Sequence, residues 1–436
     1  MAVEATSLPS ASARRILSVR SPKLSSDRSN DWYRYYAGYS SGFVHDALES
    51  LELDEKAIVL DPWNGAGTTT AVAQRQGLGG LGYDANPALV VIARARLLAS
   101  DVTESLAPLA DDILDHAASV RNESEGTDPL EVWFDARSAR QTRHIERAVR
   151  HVLVNEDADA DLPSEFSVNG ISSLAAFFYV ALFDAVRGVL RPFMSSNPTW
   201  IKTPASEDRV AVDSQTLDRS FKAAVDQLVP KLSTEPCAQA FDRVTVDVAS
   251  SESLPLPDDS VQGAITSPPY CTRIDYVVAT RPELAVLGLD ASAVRLLRTR
   301  MLGTPTILPQ TPDESDEWGV TARSLLARIA AHSSHASGSY YRKHFTQYFD
   351  SLMTSLKELR RVICGHGGVV IVVQDSYYKE LHIDLAQIVC EMCECLGWRL
   401  RESRVFSIAR TKAAIHRSSR SWRSSFSATE SVLLFG

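Results

Sequence analysis

The chain has 436 residues, 44% apolar and 23% charged, which excludes wholesale disorder and by length allows two or three domains. Its net charge of −9, from 45 Lys and Arg against 54 Asp and Glu, excludes a uniformly basic nucleic-acid coat but leaves a local basic face open. The longest apolar run, Leu174 to Phe183, meets Asp184 and Arg187 well short of the roughly 20 residues that a membrane span needs.

Residues 1–30 contain no apolar core of signal-peptide length and read as a mobile arm. The six cysteines, three of them at 390, 393 and 395, fit a reduced protein better than a disulfide framework. A soluble, cytoplasmic protein with no membrane contact is the expectation.

In chain order, Ala57–Leu60 is predicted as a short buried strand, Asn64–Gly67 as a turn and Thr68–Gln76 as a helix. Gly80–Tyr83 follows as a strand and Pro87–Leu98 as a helix with proline in its first turn. Strand, helix, strand and helix at this spacing predict a parallel sheet with crossover helices. Residues 101–240 have mostly helical patterns and no internal repeat. Val244–Val248 and Val261–Thr266 are candidate strands, and 367–376, which contains Val-Val-Ile-Val-Val, is the plainest buried strand. Residues 280–342 mix loops with a short helix near 321–331. Asp384–Leu396 carries Leu385, Ile388, Val389, Met392 and Leu396 on one helical stripe. Arg399–Ile408 and Glu430–Phe435 read as two closing antiparallel strands. The pieces 101–240 and 280–342 are too long for plain loops and are expected to be insertions, the first a possible target-recognition region.

Two motifs carry chemistry. Asp61-Pro-Trp63-Asn-Gly65-Ala-Gly67-Thr68-Thr leaves the first strand, with glycines where a backbone must pass close to a ligand. Asp84, at the end of the next strand, is placed to accept hydrogen bonds from ribose hydroxyls, with Asn86 just beyond. A tight strand–helix connection without ligand is the plain alternative. Thr70 stands where a dinucleotide pattern needs its third glycine, and no Gly-Lys-Ser/Thr follows, which disfavours NAD and ATP. The second motif, Ser267-Pro268-Pro269-Tyr270, ends the strand 261–266. Its prolines fix the backbone and remove two N–H donors, so Ser267 and the Pro268 carbonyl offer an acceptor array for an amino group. Tyr270 offers a ring face to a planar base. A rigid turn with a core tyrosine is the alternative.

Together the two motifs resemble the amino-methyltransferases of DNA, with Trp63 where that family often has phenylalanine. Tyr36-Ala-Gly-Tyr-Ser-Ser-Gly-Phe43-Val44 loosely resembles the family's other cofactor-side motif, and Asp247 stands where a residue near the cofactor's adenine is expected. The resemblance covers about 40–100, 243–277 and 344–435. It implies a Rossmann-like class I methyltransferase sheet of seven strands, the last antiparallel, bearing helical insertions, with a catalytic domain made of 31–100 and 241–436. It implies S-adenosyl-L-methionine as cofactor, held by Tyr36, Asp61, Trp63, Gly65, Gly67, Thr68, Asp84, Asn86 and Asp247. It also implies Ser267, Pro268, Pro269 and Tyr270 as the catalytic residues for direct methyl transfer to a base flipped out of double-stranded DNA.

Serine at the head of the motif points to cytosine N4. Adenine N6, an RNA base and a binder without turnover are the alternatives, and protein glutamine methylation, which takes asparagine there, ranks last. Methylation at carbon 5 would need a thiolate, but Pro236-Cys237 precedes the strand at 244 and reads as a loop cysteine. A restriction or phage-defence partner is possible.

Arg273, Asp275 and Tyr276 follow the catalytic motif and could meet phosphate and a flanking base, or form a salt-linked loop. Between 399 and 423 eight basic residues face one acid, Glu402. Arg410, Lys412, Arg417, Arg420 and Arg423 are the phosphate candidates there. Arg137, Arg140, Arg143, Arg147 and Arg150 recur at helical spacing and read first as a solvated face. Trp200, in Asn197-Pro-Thr-Trp200, has an exposed-turn look and could wedge into a base stack. The cysteines near 390 read as core, so no metal is expected.

Overall fold

The computed structural model describes residues 19–22, 32–33, 38–120, 127–154, 168–195, 200–232, 243–271, 275–408 and 428–436. After helix α1 (Ser41–Leu51), the chain alternates through β1 (Ile58–Asp61), α2 (Thr68–Arg75), β2 (Gly79–Asp84) and α3 (Pro87–Ala95). Helices α4 (Thr103–Ser119), α5 (Ala136–Leu153), α6 (Ser173–Val189) and α7 (Ser214–Leu228) precede β3 (Val244–Val248) and β4 (Val261–Thr266). Then come α8 (Tyr276–Ala279), α9 (Arg281–Val286), α10 (Ala291–Arg300), α11 (Gly319–Ala330) and α12 (Arg342–Val362). Strand β5 (Ile363–Gln374), the hairpin β6 (Ser376–Tyr378) and β7 (Leu381–Ile383), α13 (Leu385–Cys395), β8 (Leu400–Ile408) and β9 (Ala428–Phe435) complete the order.

Seven strands form one sheet in the order β3-β2-β1-β4-β5-β9-β8. Its neighbours run parallel up to β5, and β9 lies antiparallel to both β5 and β8. This is the sheet the sequence predicts, including the reversed last strand. Strands buried on both faces need apolar residues at every position. In β5, Val370 and Val372 join α1 and α2 in one core, while Val369, Ile371 and Val373 join α11, α12 and α13 in another.

A third core holds α3 through α7. In it α6 is buried from Ala175 to Phe183, which accounts for the long apolar run. Among the described residues, no helix is long and apolar enough to cross a membrane.

The segment 281–330 holds three helices where the sequence reading assigned one. Helix α12, with Phe345, Phe349, Leu352, Leu356 and Leu359 buried, and the hairpin β6–β7 had no predicted element. In α13 the Cys390 thiol is pushed up to about 11, by burial first and nearby acids second, and Cys393 is fully buried. Both are core thiols, whereas Cys395 is exposed, which corrects the core reading for that residue. Cys237 lies outside the described residues.

The arginine stripe of α5 is corrected. Arg137 and Arg140 are exposed, but Arg143, Arg147 and Arg150 are buried. Arg143 pairs with Asp128 at 2.9 Å and Glu146 at 3.1 Å, and donates to the carbonyls of Ala285 (2.8 Å) and Val286 (2.6 Å) at the end of α9. Arg150 pairs with the same Glu146 at 2.9 Å, which also accepts from the Tyr179 hydroxyl. Charges enter a core only when partners replace water, and a helix end supplies carbonyl acceptors that need donors.

Candidate functional site

The glycine turn after β1 and the motif after β4 emerge at the same edge of the parallel sheet, as expected of adjacent parallel strands. Gly65 and Gly67 adopt φ of 53° and 78°, the left-handed region that disfavours other residues. A Cβ on Gly67 would lie 2.7 Å from the Ala93 Cβ on α3, so the turn and α3 approach as closely as glycine permits. Gly67→Ala is expected to cost about 1–3 kcal/mol in urea unfolding, from backbone strain and overpacking together.

Asp84 is buried at the end of β2, 8% exposed. Its carboxylate accepts from the Gly65 N–H at 3.0 Å and the Asn86 N–H at 2.8 Å, one donor on each oxygen. Each oxygen therefore keeps a lone pair, which fits a ribose diol. Burial raises its pKa to about 6, more than the two N–H groups lower it.

Asp61 behaves differently. One oxygen accepts from the Thr266 hydroxyl (2.6 Å) and the Trp63 N–H (3.2 Å), the other from the hydroxyls of Thr69 (2.7 Å) and Tyr39 (2.8 Å). Four donors saturate the carboxylate, so the expected contact of Asp61 with cofactor is corrected. Asp61 is the hub that ties the first motif to the residue preceding Ser267.

Asn86 is corrected likewise. Fully buried, it caps α3 by accepting from the Ala88 N–H, and its amide donates to the Thr280 hydroxyl at 2.8 Å. Asp247 is turned to α3, where it pairs with Arg94 at 2.6 Å. Arg94 also donates to the carbonyls of Val246, Val168 and Ile171, so Oδ1 of Asp247 helps tie β3 to α3. The Thr68 hydroxyl is taken by Arg96 at 3.0 Å, and Trp63 is half-buried beside the turn.

In the second motif Pro268 is buried and Ser267, Pro269 and Tyr270 are half-buried. The Tyr348 hydroxyl holds the Pro269 carbonyl at 2.8 Å, and Ser376 holds that of Cys271 at 2.9 Å. Among the described residues no donor is bonded to the Pro268 carbonyl. The Tyr270 hydroxyl donates to Glu430 of β9 at 3.2 Å and is hydrogen-bonded to Ser267. Burial, then the Glu430 charge, raises its pKa and keeps it a neutral phenol. A cavity of about 260 Å³ is lined by Glu252, Gly303, Thr304, His344, Gln347 and Tyr348 among others and by no residue of Ser267–Tyr270, although Tyr348 also holds the Pro269 carbonyl. Its volume is just below the range of about 300–1,000 Å³ typical of ligand pockets.

The nucleic-acid candidates fare unevenly. Tyr276 is 8% exposed and offers little ring face to a flanking base, which corrects that reading. Asp275 caps α8 and pairs with Arg298 at 2.7 Å. Tyr36, Arg273, Arg410, Lys412, Arg417, Arg420 and Arg423 lie outside the described residues. Sequence reasoning missed Tyr39 and Thr69, both on the Asp61 hub. The tyrosine repeated three residues after Tyr36 and the run of three threonines were the available signals.

This sheet order, with the glycine turn after β1 and a buried acid ending β2, defines a Rossmann-like methyltransferase fold. The chain is similar to the type II methyltransferase M.BsoBI of Geobacillus stearothermophilus, 23% identical over 292 residues. The match covers 63% of this chain and 55% of that protein, so the chain spans about half the relative's length. No protein-family model matches the chain.

Proposed function

We propose that the protein methylates an exocyclic base amine in DNA, at cytosine N4, with S-adenosyl-L-methionine as methyl donor. The observation that carries this reading is the Asp61–Thr266 hydrogen bond, which fixes the glycine turn against the start of Ser267–Tyr270. The type II methyltransferase relative supports DNA as the substrate, and the serine at 267 favours cytosine over adenine. A restriction or phage-defence partner, and target reading by the segment 101–240, belong to the same proposal.

The cofactor would supply an electrophilic sulfonium methyl, with Asp84 on its ribose and the Gly65–Gly67 turn beside it. An aromatic amine is a poor nucleophile because its lone pair is delocalised into the ring. Acceptors at Ser267 and Pro268 hold its N–H bonds and favour localisation of that pair, which is positioning plus electrostatics. Tyr270, anchored at its hydroxyl, presents a ring of fixed orientation on which a base can stack. Stacking worth roughly 1–3 kcal/mol offsets much of the few kcal/mol needed to take a base out of a duplex.

Incubation with labelled cofactor and a mixture of DNA and RNA, followed by nucleoside mass analysis, tests the reading. N4-methyldeoxycytidine is expected. N6-methyldeoxyadenosine, a methylated ribonucleoside or no product would overturn it.

Asp84 gives a pH test. Protonation removes its charge and turns one acceptor oxygen into a donor, so cofactor affinity measured by calorimetry should fall as pH drops through about 6. Asp84→Asn should bind about tenfold or more weakly above that pH, because a hydrogen bond to a charged acceptor is lost, and should show no step there.

A further inference from the structure

We propose that Trp200, with Arg191 and Lys202, is a nucleic-acid contact, the indole stacking on a base of the substrate while the two cations meet backbone phosphates; this rests on the DNA-methylation reading above.

Trp200 is 57% exposed, whereas Trp32, Trp133, Trp318 and Trp398 are all buried. An indole left in water loses the burial that the others gain, so its exposure asks for an occupant. The backbone that carries it is held from several sides. Met194 and Ile201 form an antiparallel bridge, and the Lys202 N–H donates to the Phe193 carbonyl at 3.0 Å. The Trp133 indole donates to the Lys202 carbonyl at 3.1 Å, the Ser195 hydroxyl donates to the Trp200 carbonyl at 3.2 Å, and Ile201 is 4% exposed. The ring is thus presented from a fixed base, which lowers the ordering entropy lost when it stacks.

The same base is tied to the segment that follows the catalytic motif. Arg187, at the end of α6, donates to the Ala279 carbonyl at 2.5 Å and pairs with Glu283 of α9. The Arg281 guanidinium lies 5.2 Å over the ring of Trp133. Through Thr280 this segment also bonds to Asn86, next to Asp84.

The charge around the ring selects the partner. Between Asp184 and Glu207 the sequence has Arg187, Arg191 and Lys202 and no acid, and Arg191 and Lys202 are exposed. A protein partner would need a contiguous apolar patch, commonly several hundred Å². An exposed indole in a segment whose exposed charged side chains, Arg191 and Lys202, are both basic matches a base flanked by phosphates.

The test is fluorescence anisotropy with a fluorescein-labelled mixed-sequence duplex, beside methylation of the same duplex and the melting temperature of each variant. Trp200→Ala should weaken binding about 5- to 150-fold, the stacking contribution of one base, at unchanged melting temperature and cofactor affinity. Trp200→Phe should keep most of the affinity. Arg191→Gln and Lys202→Gln should each flatten the slope of log affinity against log salt by about 0.9. Wild-type binding by Trp200→Ala overturns the proposal while wild-type methylation leaves the functional reading standing. Trp200-dependent binding without any methyl transfer does the reverse. A wild-type protein that neither binds nor methylates the duplex overturns both. A change of solution mass in Trp200→Ala, in place of a change in DNA affinity, makes the indole a protein contact and overturns the proposal.

Discussion

Tyr270→Ala is expected to lower kcat/KM for methyl transfer by about 100-fold, because stacking of one base and the positioning that depends on it are lost together. The structure makes the ring a fixed support rather than a loose side chain. Its hydroxyl is bonded to Glu430 on β9 and to Ser267, and the neighbouring Pro269 carbonyl is clamped by Tyr348. Tyr270→Phe keeps the ring and loses the anchor, so it should fall between wild type and the alanine variant. Pro268→Ala should reduce turnover with cofactor affinity nearly intact, since contacts made only as the amine reacts are read in rate rather than in binding. Single-turnover measurements at saturating cofactor decide this. Wild-type rates in both Tyr270→Ala and Pro268→Ala would reduce Ser267–Tyr270 to a turn.

Asp61→Ala should destabilise the protein by about 3 kcal/mol, measured by urea unfolding. Its carboxylate is 2% exposed and satisfies three hydroxyls and one N–H. Removing it strands donors at roughly 1–3 kcal/mol each, less what they recover elsewhere. Some recovery is available, because the hydroxyls of Tyr39 and Thr69 lie 3.2 and 3.3 Å from the Ile265 carbonyl. Asp61→Asn keeps the shape and one acceptor oxygen, and should cost less. Both variants should lose stability more than cofactor affinity, the reverse of Asp84→Asn. A folded Asp61→Asn with unchanged stability and weakened cofactor binding would return Asp61 to the list of direct ligands.

The sheet was legible because its strands obey local rules. Val244–Val248 and Val261–Thr266 have the bounds expected of them, and β1 and β2 differ from expectation by one residue at each end. Helix α12 shows the same apolar spacing that identified α13, yet it lies beyond the strand–turn–helix punctuation that anchored the reading. The hairpin β6–β7, with three residues per strand, is too short to carry a pattern.

The arginines of α5 could not be read locally at all. Whether Arg143 is solvated or buried depends on the carbonyls of Ala285 and Val286, more than 140 residues away in sequence. The site shows the same division. A glycine turn followed by an acid announces itself. That Asp61 spends all its lone pairs on Tyr39, Thr69, Thr266 and Trp63, and that Asn86 spends its amide on Thr280, is a tertiary fact about partners the sequence does not bring together.

Strand β9 lies between β5 and β8 in space but follows both in sequence. Its arrival closes a gap rather than extending an edge, since without residues 428–435 β5 has an open side and β8 has no neighbour. The same strand carries Glu430, the acceptor for Tyr270. Closure of the sheet and anchoring of the aromatic at the end of β4 therefore rest on one and the same strand.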